Sequence, residues 1–331
     1  MTDPQKTAVA PQETTATPQK TKVAPQKTAV APQATPQKTA VAPQKTAATP
    51  QNADGAEQGV KPSGRKVTFD SAQWLNSGAE ADIKIVDKDD KKYALKVYHK
   101  GFHPNKKIFP TLKRLGGKGV IADVYEIGVR KDGLQVELME YIPGGSLARY
   151  DLKGNATAIT TIVLRTAMAL DACHKYGIIH KDIKPANILV KDTSLWDCVL
   201  CDFGIADLIN SDGKVITRQS RTPIYAAPEI YDPSYAKAKI DGNDLFEITP
   251  AADFYSLGMT ALCLWSGEEV FMAAEEQMAI QKLDRGIPLP KNMPERLRNI
   301  VAGLLKKNPA ERWGLKDIEK SLGGHWAVMH T

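Results

Sequence analysis

Aromatic side chains are missing from roughly the first fifth of this chain, where nothing precedes Phe69. A segment so poor in large apolar groups cannot offset the entropy of ordering its backbone, which excludes a packed domain there. Cysteine is scarce as well: Cys173, Cys198, Cys201 and Cys263 lie in apolar settings, not in a disulfide framework. That usage points to a reducing, cytoplasmic compartment. Cys198-x-x-Cys201 has the spacing of a zinc or redox pair, but no second Cys/His pair lies nearby, so two small core side chains are the better reading. No apolar run reaches transmembrane length, and the N-terminus lacks the apolar core of a secretory signal, so no membrane partner is expected. Blocks of Lys or Arg are absent and the net charge is a modest +6, which argues against a nucleic-acid partner.

What the first 65 residues do contain is a repeat. Pro-Gln pairs start at Pro4, Pro11, Pro18, Pro25, Pro32, Pro36, Pro43 and Pro50, seven residues apart except for one interval of four. Period seven invites a coiled coil, but a proline in every unit breaks any continuous helix. Residues 1–65 are therefore expected to be a disordered arm with polyproline-II tendency, a spacer or docking tail. The Thr-Pro steps at Thr17, Thr35 and Thr49 are alternative phosphate acceptors, and a partner that reads proline repeats is the alternative to a passive linker.

From Val67 the chain turns globular, and at 42% hydrophobic it can bury a substantial core. Its organising stretch runs from Ile178 to Gly204. Two apolar runs, Ile188 to Val190 and Val199 to Cys201, read as paired strands, with His180, Asp182, Lys184 and Asn187 before them and Asp202 after. A hairpin gathers Asp182, Asn187 and Asp202 at one end. That end offers two oxygen ligands for a hard cation, a carboxylate to receive a hydroxyl proton, and a lysine to face a phosphate.

His180-Lys181-Asp182-Ile183-Lys184-Pro185-Ala186-Asn187 followed by Asp202-Phe203-Gly204 resembles the catalytic segment of the eukaryotic-type (Hanks-type) serine/threonine protein kinases. The resemblance covers about residues 69–325, and the short chain with its near-identical repeats points to a bacterial or phage member. It implies an α+β, two-lobed kinase-like fold: the disordered arm, a small mostly β lobe over 66–142, and a larger mostly α lobe over 143–331. It further implies a γ-phosphoryl transfer from ATP, with Mg²⁺ (or Mn²⁺) as cofactor, to Ser or Thr hydroxyls of protein substrates, including the chain itself.

Carried over residue by residue, the resemblance assigns the following. Asn76-Ser77-Gly78-Ala79-Glu80-Ala81-Asp82-Ile83 is similar to the family's glycine loop, of which only Gly78 remains. Ala94-Leu95-Lys96 resembles the lysine strand, so Lys96 holds the α- and β-phosphates; flanked by Leu95 and Val97, it should face the cleft. Met139 is the gatekeeper, and backbone groups of Glu140 and Ile142 meet the adenine edge. Asp182 orients the substrate hydroxyl and takes its proton, Lys184 neutralises the phosphate in transit, and Asn187 and Asp202 hold the metal. His180 braces the loop and Asp253 ties it down, while Glu229 pairs with Arg312. Thr222 positions the peptide, and Thr217 and Ser220 are candidate phosphorylation sites in the activation segment.

One departure concerns Lys96. The family pairs this lysine with a glutamate on the next helix, yet no acidic residue lies between Lys96 and Val120. The partner is absent, external, or replaced, with Glu80 and Glu126 as candidates. A scaffold that binds nucleotide without turnover and a small-molecule phosphotransferase are accordingly the alternative functions. A further stretch, Tyr231 to Pro250, reads as an insertion without an assignable role.

Overall fold

The computed structural model describes residues 58–60, 66–218, 224–230, 232–273 and 286–323. Nearly all of the repeat arm, and Ser220 and Thr222, lie outside them.

The small lobe is a seven-stranded antiparallel sheet. Its strands are β1 (Gln58–Val60), β2 (Lys66–Thr68), β3 (Ser71–Ser77), β4 (Ala81–Lys88), β5 (Lys91–Tyr98), β6 (Val124–Arg130) and β7 (Gln135–Glu140), in the order β2-β1-β6-β7-β5-β4-β3. The sheet begins earlier than the composition suggests. Strand β1 lies inside the stretch read as the arm and pairs Val60 with Val129 of β6. Three residues give no alternation to read, which is why this edge is silent in the sequence. The turn between β4 and β5 is Asp89 and Asp90, both at positive φ (52° and 56°). A two-residue turn of that hand matches the strand twist and lets β4 and β5 pair through Lys88 and Lys91.

Alternation along β5 separates two faces. Leu95 and Val97 bury against Phe69, Val86 and Val136. Ala94 turns the other way, into a cluster with Met139, Ile142, Val199 and Cys201 that joins the sheet to the catalytic hairpin. After β5 comes a short helix, α1 (Phe109–Leu115), started by Pro110 within its first two positions and carrying no acid in its first turn. Its Leu112 and Leu115 sink into the larger hydrophobic cluster.

In the large lobe, α2 (Ala156–Lys175) is capped by the Asn155 side chain, which accepts from the Ala158 N–H at 3.1 Å. Gly177 at φ 80° follows its C-terminus. By length and composition α2 is apolar enough to cross a bilayer, though Thr160, Thr161, Arg165 and Asp171 interrupt any continuous apolar run; 67% of that window is buried, as in a core helix. β8 (Ile178–Ile179) leads into the hairpin of β9 (Ile188–Asp192) and β10 (Asp197–Leu200), and β11 (Asp207–Leu208) returns to pair with β8. Helix α3 (Ala251–Ser266) is buried continuously from Ala252 to Trp265. It is followed by α4 (Glu268–Ala273), α5 (Glu295–Leu304) and α6 (Leu315–Ser321). Gly258 lets α3 and α5 touch, since a Cβ there would stand 2.9 Å from Leu304 Cβ.

Residues 232–250, most of the stretch read as an insertion, take shape here. β13 (Ala236–Ile240) and β14 (Asn243–Ile248) form a hairpin closed by Asp241-Gly242 at positive φ, and β14 also pairs with β12 (Val215–Arg218) in a three-stranded sheet. Phe246 and Ile248 of β14 and Val215 of β12 enter the main core.

Glu229 and Arg312 make a bidentate pair at 2.6 and 3.0 Å with side-chain exposures of 6% and 0%. Arg312 also donates to the carbonyls of Ala251, Lys306 and Lys307. Removing one member of a buried pair strands the other charge, at a cost of about 3–5 kcal/mol. We therefore expect Glu229→Gln to lower the urea midpoint by a corresponding amount at unchanged m-value. Asp171→Asn, which breaks only the surface pair with Lys175, should leave the midpoint almost unmoved. Equal losses in the two variants would show that the Glu229 pair contributes no more than a surface contact.

Candidate active site

The catalytic loop is built on a single buried carboxylate. Asp253, in the first turn of α3 and with no exposed surface, accepts the backbone N–H groups of His180 (2.9 Å, Oδ2) and Lys181 (2.8 Å, Oδ1), while His174 Nε2 meets Oδ2 at 2.8 Å. These bonds hold Lys181 at φ 69°, a left-handed conformation unusual for a side chain of this kind. Burial pushes the Asp253 carboxyl up, but the His174 hydrogen bond, the two histidines and the backbone donors outweigh it, and its pKa lies below the ordinary range.

His180 is fully buried and uses both ring nitrogens inward. Nδ1 accepts from the Asp182 N–H at 3.3 Å, Nε2 donates to the Cys201 carbonyl at 3.0 Å, and the ring packs 4.6 Å from that of Phe203. These bonds set the tautomer and leave the ring no nitrogen for the cleft. Asp182 is held by Lys184 Nζ at 2.8 Å and by Asn187 Nδ2, which donates at 2.8 Å to both its Oδ2 and its backbone carbonyl. With its nitrogen so engaged, Asn187 has its amide oxygen to offer a cation. The hairpin register pairs Ile188 with Leu200, and the Cys201 N–H donates to the Asn187 carbonyl at 3.0 Å, so Asn187 and Asp202 emerge side by side.

Across the cleft, Lys96 Nζ lies 2.6 Å from Asp202 Oδ1 and 5.0 Å from the centre of the Tyr98 ring. Burial pulls the Lys96 ammonium down, yet the charges of Asp202 and Glu137 more than compensate and its pKa is raised. For Asp202, burial is opposed by Lys96 and the result is a lowered pKa. The cleft between sheet and hairpin has a volume of about 570 Å³. Gly78, Ala94, Met139 and Ile142 line its sheet and hinge side; Asp182, Lys184, Asn187 and Asp202 line its far wall. At the hinge, the Glu140 N–H donates to the Asp123 carbonyl (2.8 Å) and the Ile142 carbonyl accepts from Gly145 (3.1 Å). Among the described residues no cluster of three or more His, Cys, Asp or Glu could hold a metal by itself.

A family model described as the protein kinase domain matches residues 75–322. The chain belongs to the protein kinase family. This kinase is 27% identical over 261 residues to the meiosis-specific serine/threonine-protein kinase mek1 of Schizosaccharomyces pombe, covering 77% of this chain and 55% of that one. It is 27% identical over 250 residues to the serine/threonine-protein kinase GRIK1 of Arabidopsis thaliana, covering 70% and 59%. Over 192 residues it is 31% identical to the serine/threonine-protein kinase PkaA of Streptomyces coelicolor, covering 56% and 33%. The chain thus spans little more than half the length of the first two relatives.

Two residues, Lys96 and Thr217, stand differently from the sequence reading of this kinase, while Cys198 and Cys201 are buried as it expected. Lys96 receives neither Glu80 nor Glu126. The acids acting on it are Asp202 and Glu137, the latter its register partner on β7. Thr217, read as a phosphorylation candidate, is 7% exposed in β12 and its hydroxyl accepts from Lys181 Nζ at 2.8 Å, so no kinase reaches it unless the strand opens. Lys181 also pairs with Asp207 at 2.6 Å. Cys198 and Cys201 lie in different hydrophobic clusters. Burial pushes the Cys198 thiol up to about 12 and the Cys201 thiol higher, so neither offers a thiolate near neutral pH. The missed residues had signals. Glu137 is a charge between Val136 and Leu138 in mid-strand, and Asp241-Gly242 is a two-residue hairpin signature.

Because the folded pKa of Asp253 is depressed, its ionised form is the one folding favours. That contribution is complete above the unfolded value of about 3.9 and is lost as pH falls through the folded one. Asp253→Asn should lower the urea midpoint at pH 7 and flatten its decline below about pH 4.5. Asp202 and other depressed carboxyls leave a shared background, so the readout is the difference between the two curves. Parallel curves would show that Asp253 is not the acid-labile tie.

Proposed function

We propose that this kinase transfers the γ-phosphate of ATP to serine or threonine hydroxyls of proteins. The observation that carries this reading is the Asp182 carboxylate held jointly by Lys184 and Asn187, opposite the Lys96–Asp202 pair. A carboxylate so placed can take a hydroxyl proton while the neighbouring ammonium neutralises charge on the phosphate in transit. In the step, the substrate O–H bond breaks and its proton passes to Asp182. The oxygen bonds the γ-phosphorus, and the bond to the β–γ bridging oxygen breaks to release ADP.

The roles follow from position. Lys96 meets the α- and β-phosphates, Gly78 covers them, and adenine lies against Met139, bonding through the Glu140 carbonyl and the Ile142 N–H, since the opposite groups of those residues are engaged. Mg²⁺ suits the pair Asn187 and Asp202, because it takes few protein oxygens and fills its shell with phosphate and water. It would neutralise charge on the phosphates. Lysine at 184 favours serine and threonine over tyrosine. Ser220 and Thr222 are retained as phosphorylation and peptide-positioning residues, and the repeat arm as a spacer or docking tail. Four buried free thiols support a cytoplasmic setting.

With labelled γ-phosphate and Mg²⁺, the native chain should label protein, and Asp182→Asn should cut the rate by about 10²–10⁴-fold, as should chelation of the metal. A folded native chain that binds ATP yet labels nothing would instead be a nucleotide-binding scaffold. Label appearing only on a small metabolite would make it a small-molecule phosphotransferase.

A further inference from the structure

Lys96 faces a problem that its ion pair with Asp202 does not solve. If Asp202 turns to a cation, the ammonium loses the only carboxylate within ion-pair distance among the described residues. The segment that follows cannot supply another, because no acid occurs from Val97 to Gly119. Helix α1 instead directs Leu112 and Leu115 into the large hydrophobic cluster.

Strand β7 carries the acid. Lys96 and Glu137 are register partners on β5 and β7, two positions along from the pair Ala94 and Met139 that lines the cleft. Side chains directly opposite one another on neighbouring strands share a face, with Cβ atoms about 4.5–5.5 Å apart. Glu137 is buried, and Tyr98, also buried and two residues along β5 on the same face, donates its hydroxyl to Glu137 Oε2 at 3.0 Å. The Tyr98 ring lies under the Lys96 ammonium. A buried carboxylate is costly unless a charge and a hydrogen bond answer it. Lys96 and the Tyr98 hydrogen bond both favour the ionised form of Glu137, although burial, helped by Asp202, still pushes its carboxyl above the ordinary range.

We infer that Glu137, fixed by Tyr98, is the positioning residue for Lys96 and stands in for the acid that α1 lacks. This rests on the phosphotransfer reading above. Glu137 touches neither substrate nor metal. It keeps the ammonium aimed along the cleft when Asp202 is engaged elsewhere, so its effect belongs to turnover more than to folding.

Three variants of the full chain test this: Glu137→Gln, which keeps the shape and the Tyr98 acceptor but cannot carry a charge; Glu137→Asp, which restores the carboxyl; and Tyr98→Phe, which removes the hydrogen bond that fixes Glu137. Each is assayed for kcat, KM for ATP and urea midpoint, with Asp182→Asn as control. We expect Glu137→Gln to lower kcat about 10–100-fold, as a misplaced catalytic group does, with KM for ATP rising less than kcat falls and the midpoint level or higher. Glu137→Asp should recover part of kcat, and Tyr98→Phe should lose several-fold. A kcat within twofold of native for Glu137→Gln, while Asp182→Asn remains inactive, would overturn the inference and leave the kinase reading standing. So would a loss of kcat that merely tracks a lowered midpoint. If Glu137→Gln does not fold, Tyr98→Phe decides, and a native kcat there overturns it. A native chain that transfers nothing removes the phosphotransfer reading and this inference with it.

Discussion

A carboxylate with no access to water, placed at the positive end of α3, holds the catalytic loop of this kinase in a shape its own sequence would not choose. Asp253 satisfies two backbone N–H groups that would otherwise be buried without partners, and the helix terminus favours its charge. The consequence spreads outward along the chain. With Lys181 held at positive φ, the backbone turns so that His180 points inward to Cys201 while Asp182 points into the cleft. Asn187 can then reach back across the loop to bind both the side chain and the carbonyl of Asp182.

The two lobes meet chemically through Lys96 and Asp202. Lys96 is buried and Asp202 half-exposed, and each shifts the other toward its charged form against the desolvation both suffer. Asp202 also adopts positive φ (62°), which sets its carboxylate at the mouth of the β9–β10 hairpin. An ion pair of this kind is weak evidence for stability, because burial cancels much of the attraction. Its value lies in geometry: it spans the cleft at the place where phosphates would lie, and both partners are chemically suited to exchange one another for a ligand's charges.

Much of this was legible because local chemistry and global fold agree. The run from His180 to Asn187 followed by Asp202-Phe203-Gly204 names both the loop and the hairpin. The three- and four-residue apolar spacing of α2 ends at a glycine in the left-handed region, and the apolar character all round α3 signals burial. What was illegible depends on partners distant in sequence. Glu137 reads as one more charge in a strand until the β5–β7 register sets it opposite Lys96. Thr217 reads as a loop hydroxyl until β14, some thirty residues later, pairs with it. The Asp241-Gly242 hairpin was readable in principle, but its flanking strands are mostly polar on the exposed side, so periodicity gave no warning.

That hairpin changes how the segment after Asp202 is held. Strand β12 is paired along its length by β14, and Lys214 meets Glu247 at 2.8 Å beside it. Lys181 spends its ammonium on Asp207 and the Thr217 hydroxyl. A lysine lacks the planar fork that grips a phosphate through two parallel hydrogen bonds, but as a point charge it suits a single carboxylate and a hydroxyl equally well. Backbone pairing and one ammonium thus act together on Val215–Arg218, the first along the strand and the second through the Thr217 hydroxyl.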